Sequence, residues 1–147
     1  MPADVFASQF QLTPSKRLRP PAYPLITHDP YFSVWSMSDK LTDEWPKHWT
    51  GAIMGMCGLV RIDGKTYRWC GPAPADIPAM RQEHAYLGDI TRTDYVFEQS
   101  GVSLRVQFFS PVYGGKYGAP LASVSRSASF ILFRATATDG RPHEVSA

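Results

Sequence analysis

TRTDYVFEQSGVSLRVQFF, residues 91–109, carries the pattern that decides the fold. From Val102 to Phe108, apolar Val102, Leu104, Val106 and Phe108 alternate with polar Ser103, Arg105 and Gln107, the period of two expected of a strand with one buried face. The preceding run, a strand over 91–99, offers Thr93, Tyr95 and Phe97 as its buried side. A one-residue slip turns every side chain of a strand to the other face. The two apolar sets therefore meet only with Phe97 opposite Leu104 and Tyr95 opposite Val106. That register calls for Ser100-Gly101 as a two-residue turn, or for a four-residue turn, and excludes a three-residue loop.

The same reading extends outward. Ile62-Asp63-Gly64-Lys65 joins strands over 55–62 and 65–70 by a two-residue turn in which glycine accepts a positive φ. Val60 then faces Tyr67 and Gly58 faces Trp69. In that register Cys57 lies opposite Cys70 as a non-hydrogen-bonded pair, with Cα atoms about 4.5 Å apart, close enough for a disulfide. A bulge at Gly64 would instead set Cys57 against Trp69 and leave no bridge. Further strands are expected over 31–36 and near 80–87, with the proline-rich run 71–78 crossing between sheets as a rigid loop. Phe130-Ile131-Leu132-Phe133 predicts a strand buried on both faces. Asp139-Gly140 predicts a second hairpin, with Thr138 opposite Arg141. The last residue, Ala147, would then reach only Leu132, and Phe130 and Ile131 would lack a partner, so the expectation is a truncated sandwich.

Composition agrees with many short strands. The 147 residues suffice for one domain and include 13 prolines and 11 glycines. Residues 1–24 read as an extended, proline-rich lead-in, 25–147 as a mostly β, antiparallel, sandwich-like domain that is incomplete, and 111–128 as loop. The net charge of +2 comes from interspersed basic and acidic side chains. No concentrated basic face for nucleic acid is present, and no apolar stretch approaches a membrane span. The first 25 residues hold no continuous apolar core flanked by a small-residue cleavage site.

Chemistry is harder to find. There is no Gly-x-Ser-x-Gly elbow, His-Glu-x-x-His or Cys-x-x-Cys. His28, His48, His84 and His143 are far apart in sequence, and neither a metal nor a cofactor is expected. The richest segment is the loop from Met37 to Gly51. Asp39, Asp43, Trp45, His48 and Trp49 there combine charge with amphipathic rings, as clefts and domain interfaces do. The competing reading is that the tryptophans pin the loop to the sheet while the acids cap turns. Of the cysteines, only Arg68 stands near enough to activate a thiol.

Several strings in fixed order are unusual: LRPPAYPL at 18–25, THDPYFSVWS at 27–36, SDKLTDEWPKHWTGA at 38–52, GMCGLVRIDGKTYR at 55–68 and GPAPADIPAM at 71–80. With Gly101 to Pro111 and Thr138 to Val145, they resemble the N-terminal part of the glutaminase A family of fungi and bacteria. The resemblance implies a β-sandwich-like region followed by a large helical catalytic domain, hydrolysis of L-glutamine to L-glutamate and ammonia, and export in most members. Residues 112–128 depart from the pattern. The resemblance implies that this segment is a non-catalytic domain that touches a small-molecule substrate only indirectly, packs on the helical domain, and lends it the 39–49 loop. A reading of another class is a carbohydrate- or peptide-binding β module using Trp35, Trp45, Trp49 and Trp69; a row of exposed rings on one sheet face would favour it.

Overall fold

The computed structural model describes residues 19–89, 91–111 and 127–147. Among them lie nine strands and no helix: β1 (Tyr23–Thr27), β2 (Ser33–Ser36), β3 (Gly58–Ile62), β4 (Lys65–Cys70), β5 (Arg81–Asp89), β6 (Arg92–Gln99), β7 (Val102–Phe109), β8 (Phe130–Ala137) and β9 (Val145–Ser146). They form three antiparallel sheets, ordered β1-β2, β4-β3-β9 and β5-β6-β7-β8. The lead-in strings before Arg19 and most of the loop over 111–128 fall outside the described residues.

The central hairpin has the expected register, with Phe97 opposite Leu104, Tyr95 opposite Val106 and Gln99 opposite Val102. Its turn residues Ser100 and Gly101 have φ of 50° and 75°, and Asp63 and Gly64 in the β3–β4 turn have 49° and 81°. Positive φ at both central positions is the type I′ geometry, whose twist matches that of paired strands. Thr93, Tyr95, Phe97, Val102, Leu104, Val106 and Phe108 are all buried. The layer above them comes from two sheets. Trp69 of β4 brings its indole within 6.5 Å of Phe97, 6.2 Å of Phe108 and 5.4 Å of Phe133, measured between ring centres. Tyr23 of β1 meets Tyr95 edge-on at 5.9 Å. The fold is thus mostly β and sandwich-like. Tyr23 and Pro24, the end of the expected lead-in, are buried strand residues. The β1–β2 register shifts beside Pro24, a bulge being where a strand tolerates a residue without an N–H.

Three expectations need correction. The β3–β4 ladder runs in the expected register from Ile62–Lys65 to Leu59–Arg68, then shifts, so that Gly58 opposes Cys70 and not Trp69. Trp69 is the extra residue of a bulge, and its indole lies over Gly58, where a Cβ would stand 2.2 Å from the ring. The shift also takes Cys57 out of the position opposite Cys70: Cys57 is exposed, Cys70 is buried, and both are free thiols.

Secondly, β8 is exposed at all eight positions instead of buried on both faces. It pairs with β7 along its whole length, from Val102–Ala137 to Phe109–Phe130, and ends the sheet. Thirdly, no hairpin follows Asp139-Gly140. The chain crosses to β3, where β9 pairs Val145 with Ile62 and Ser146 with Arg61. Asp63 and Glu144 draw it there, the Asp63 N–H donating to the Glu144 carbonyl at 2.9 Å and the Glu144 N–H to the Asp63 carboxylate at 2.9 Å.

Candidate functional site

The 37–51 loop is held by backbone and core contacts before any of its polar side chains act. Leu41 is 1% exposed, and its N–H donates to the Gln82 side chain at 2.9 Å while the Gln82 amide donates to the Asp39 carbonyl at 3.0 Å. From below, the buried Arg68 guanidinium donates to the Thr42 carbonyl at 3.0 Å and to the Gly71 carbonyl. A buried cation held through one terminal nitrogen by two carbonyl oxygens, with its Nε–H left unpartnered, acts as a peg between loop and sheet.

The five candidate side chains do not converge. Asp39 is paired with Arg19 at 2.9 Å on the open surface, and Asp43 is exposed in a turn closed by its own N–H to the Lys40 carbonyl. Trp45 is half-buried against Gly71. His48 and Trp49 belong together: their ring nitrogens lie 2.9 Å and 2.7 Å from the same acceptor, the Pro30 carbonyl oxygen, and the rings are 5.2 Å apart. The other His48 nitrogen bonds the Thr50 hydroxyl at 2.8 Å. The two residues staple the 48–53 loop to the β1–β2 turn, where Tyr31, Trp49 and Ile53 remain largely exposed. Of the other tryptophans, Trp69 is buried and Trp35 half-buried, so they form no row of exposed rings.

Two polar constellations escaped the sequence reading. The first joins three turns at one end of the sandwich. His143 bonds Asp63 through Nδ1 at 2.6 Å and Asp139 through Nε2 at 2.9 Å, with its side chain one-tenth exposed. Gly101 makes room for the pair, since a Cβ there would stand 2.5 Å from the Asp139 carboxylate and 3.0 Å from the ring. Hydrogen bonds from Asp63 first and Asp139 second raise the His143 pKa. The same ring lowers both aspartates, helped by the Glu144 N–H at Asp63 and the Arg141 N–H at Asp139. An imidazolium between two carboxylates is a clasp, with neither nitrogen left to take a proton from a substrate.

The second constellation lies at the entrance to β8. Ser129 Oγ is 2.9 Å from His28 Nε2 and 2.9 Å from Ser110 Oγ, which in turn accepts the Thr27 N–H at 3.0 Å. His28 stacks on Phe32 at 5.4 Å. A serine within reach of a histidine has the first half of a nucleophile's geometry. Among the described residues no carboxylate bonds the His28 ring to orient it. The contact spans 101 positions in the chain, with no local motif to announce it.

Of the two thiols, the buried one is a poor nucleophile. Burial pushes Cys70 up to about 12, and Cys57 donates to the Ala73 carbonyl at 2.8 Å. Among the described residues no group of three or more His, Cys, Asp or Glu side chains is arranged to hold a metal ion.

Residues 3–80, more than half of the chain, match the family described as "Domain of unknown function (DUF4964)". The chain belongs to this family. The DUF4964 match takes in β1 to β4 and the 37–51 loop and stops at Met80, ahead of the four-stranded sheet. A glutaminase A from Aspergillus oryzae (strain ATCC 42149 / RIB 40) is 30% identical over 137 residues, which cover 86% of this chain and 19% of that protein. The chain therefore spans about a fifth of the length of the curated relative it matches. Together the two matches make it a glutaminase A-like N-terminal region. No solved structure matches it.

Proposed function

We propose that this chain is a non-catalytic β-sandwich domain of a longer glutaminase-like amidohydrolase, and that it serves by docking β8 against a helical catalytic domain. The observation that carries this reading is the exposure of four consecutive large apolar residues on one edge strand: Phe130 at 54%, Ile131 at 39%, Leu132 at 43% and Phe133 at 45%. Soluble proteins cover or charge such an edge, because its unpaired N–H and C=O groups invite another chain. The relative's much greater length supplies material to cover it. Support for the non-catalytic role comes from His143 and His48, which have both ring nitrogens engaged, and from the unoriented His28–Ser129 pair.

Two measurements test the proposal. The chain incubated with L-glutamine should release no ammonia above the blank; release abolished by Ser129→Ala or His28→Ala would make the domain catalytic. Hydrogen exchange should show the β8 amides that point away from β7 exchanging fast in this chain and slowly in the longer protein. Equal exchange in both would remove the docking role.

A further inference from the structure

The edge formed by β8 has a backbone phase as well as exposed side chains. In an antiparallel ladder, successive residues turn their N–H and C=O groups alternately to one neighbour and to the other. Gln99 and Val102 close the two-residue turn as a hydrogen-bonded pair, so Val102 and every second residue after it bond β6, while Ser103, Arg105, Gln107 and Phe109 bond β8. The Thr138 N–H on the Gly101 carbonyl, at 2.8 Å, keeps the same phase. On β8, Ile131, Phe133, Ala135 and Ala137 therefore hold their backbone groups toward the open edge. Their side chains stand on the inner face, opposite the buried Phe108, Val106, Leu104 and Val102, with Phe133 5.4 Å from Trp69. Phe130 and Leu132 stand on the outer face, where Phe130 stacks on Phe109 at 6.4 Å. Apolar residues on both faces are thus exposed beside a row of outward N–H and C=O groups. Edge strands that stay open are short, bulged, or carry lysine or proline. β8 is eight residues long, pairs without a register shift, and contains neither residue.

We propose, building on the docking role of β8, that the longer protein reaches this edge with an extended strand, laid beside β8 as a fifth member of the four-stranded sheet, and not with a helix laid on one face. A helix uses its N–H and C=O groups within itself, so it has none to offer Ile131, Phe133, Ala135 and Ala137, and it covers one face only. Backbone groups buried without a partner cost about as much as lost hydrogen bonds. A strand meets all three needs. It stands about 4.8 Å away, its backbone completes the ladder, and its alternate side chains extend the cover to both faces. The partner is an extended segment without proline at its pairing positions, apolar on both sides where it passes Phe130 to Phe133. The relative, of which this chain covers 19%, has the length to supply such a segment. A helical domain then packs on the widened sheet.

Residue-resolved hydrogen exchange on this chain and on the longer protein tests the strand. The Ile131, Phe133, Ala135 and Ala137 amides should exchange at least about tenfold more slowly in the longer protein, the factor expected of one hydrogen bond. Ala135→Pro then separates a ladder from a mere cover. It removes an N–H that β7 does not use, so this chain should melt within a few degrees of the parent. In the longer protein it deletes a ladder bond and crowds the added strand, and Phe133 and Ala137 should lose their protection. Ala137→Pro, at the end of β8, makes the same test at Phe133 and Ala135 where the first variant does not fold. Protection that survives the proline would overturn the added strand and leave β8 docked under another kind of cover. No protection in the parent would remove the docking role and the strand together. Protection lost on dilution, with a dimer in size exclusion, would assign the strand to a second copy of the chain and overturn its assignment to the longer protein's own segment.

Discussion

β7 and β8 are neighbours of equal length, paired residue for residue, and they live in different surroundings. β7 alternates buried with half-buried along its length, while β8 is exposed throughout. The difference comes from what flanks them. β7 has a strand on each edge and aromatic rings over its inner face, with Trp69 against Phe108. β8 has β7 on one edge, and among the described residues nothing pairs with the other. Its ends are tied by polar contacts, Ser129 to His28 before it, and Thr138 N–H to the Gly101 carbonyl with Asp139 to His143 after it. The strand is anchored at both ends and uncovered in the middle, an arrangement suited to presenting a surface. A continuous apolar run states what a chain needs covered. It does not say by what.

The sharpest test of that contrast compares two leucines. Leu104→Ala on β7 opens a cavity in the core and should lower the unfolding free energy by about 2–5 kcal/mol, whereas Leu132→Ala on β8 should change it by no more than about 0.5 kcal/mol. Urea titration of the two variants decides it, and similar losses would mean that β8 is packed like β7. Next in size is the Trp69 bulge. Gly58→Ala drives a methyl into the indole and should cost about 1–3 kcal/mol, with a fall in tryptophan fluorescence anisotropy or a spectral shift as the ring moves. An unperturbed melt would place the ring elsewhere. A smaller effect is expected from Leu132→Lys: edge charge suppresses strand-to-strand association, so size exclusion should show less oligomer at an unchanged melting point.

Much of the sandwich was legible from residues alone. The 91–109 stretch carries its own register, because Thr93, Tyr95, Phe97 and the β7 alternation match in only one way and Ser100-Gly101 permits the turn that way requires. The β3–β4 turn was equally plain, but the bulge at Trp69 was not. Alternation marks which side chains share a face; it carries no sign of a ring too large for its place in the ladder. The Cys57–Cys70 pairing failed for that one shifted residue. The Asp139-Gly140 turn was misassigned because a turn signal fixes a reversal, and the partner is chosen by distant groups, here Asp63 and Glu144. Site residues were the least legible. Asp139 and His143 share one stretch of chain but Asp63 lies 80 positions from His143, and His28 and Ser129 are 101 positions apart, so no spacing rule joins either set. Asp39, Asp43, Trp45, His48 and Trp49 were singled out together because they are adjacent in sequence, and the loop's conformation spreads them.

The clasp at the end of β8 gives the smallest effect and the one most specific in pH. His143 has an ordinary value of 6.5 and is raised in the fold, so its contribution to stability is fully present below 6.5 and is lost as pH rises through the raised folded value. Asp63 and Asp139 have ordinary values of 3.8 and are lowered, so theirs is present above 3.8 and is lost as pH falls through the depressed folded values. The two conditions overlap between 3.8 and 6.5, where an imidazolium faces two carboxylates. His143→Gln keeps a side chain of similar reach and removes the charge. The melting-point gap between parent and variant should therefore be widest near the middle of that window and narrow on both sides, toward strong acid and toward alkaline pH. Added salt should shrink the gap within the window, because the groups sit near solvent and are screened. If the gap were flat across pH, His143 would hold β8 and the β3–β4 turn by shape alone, and the contrast between the strand's anchored ends and its bare middle would owe nothing to charge.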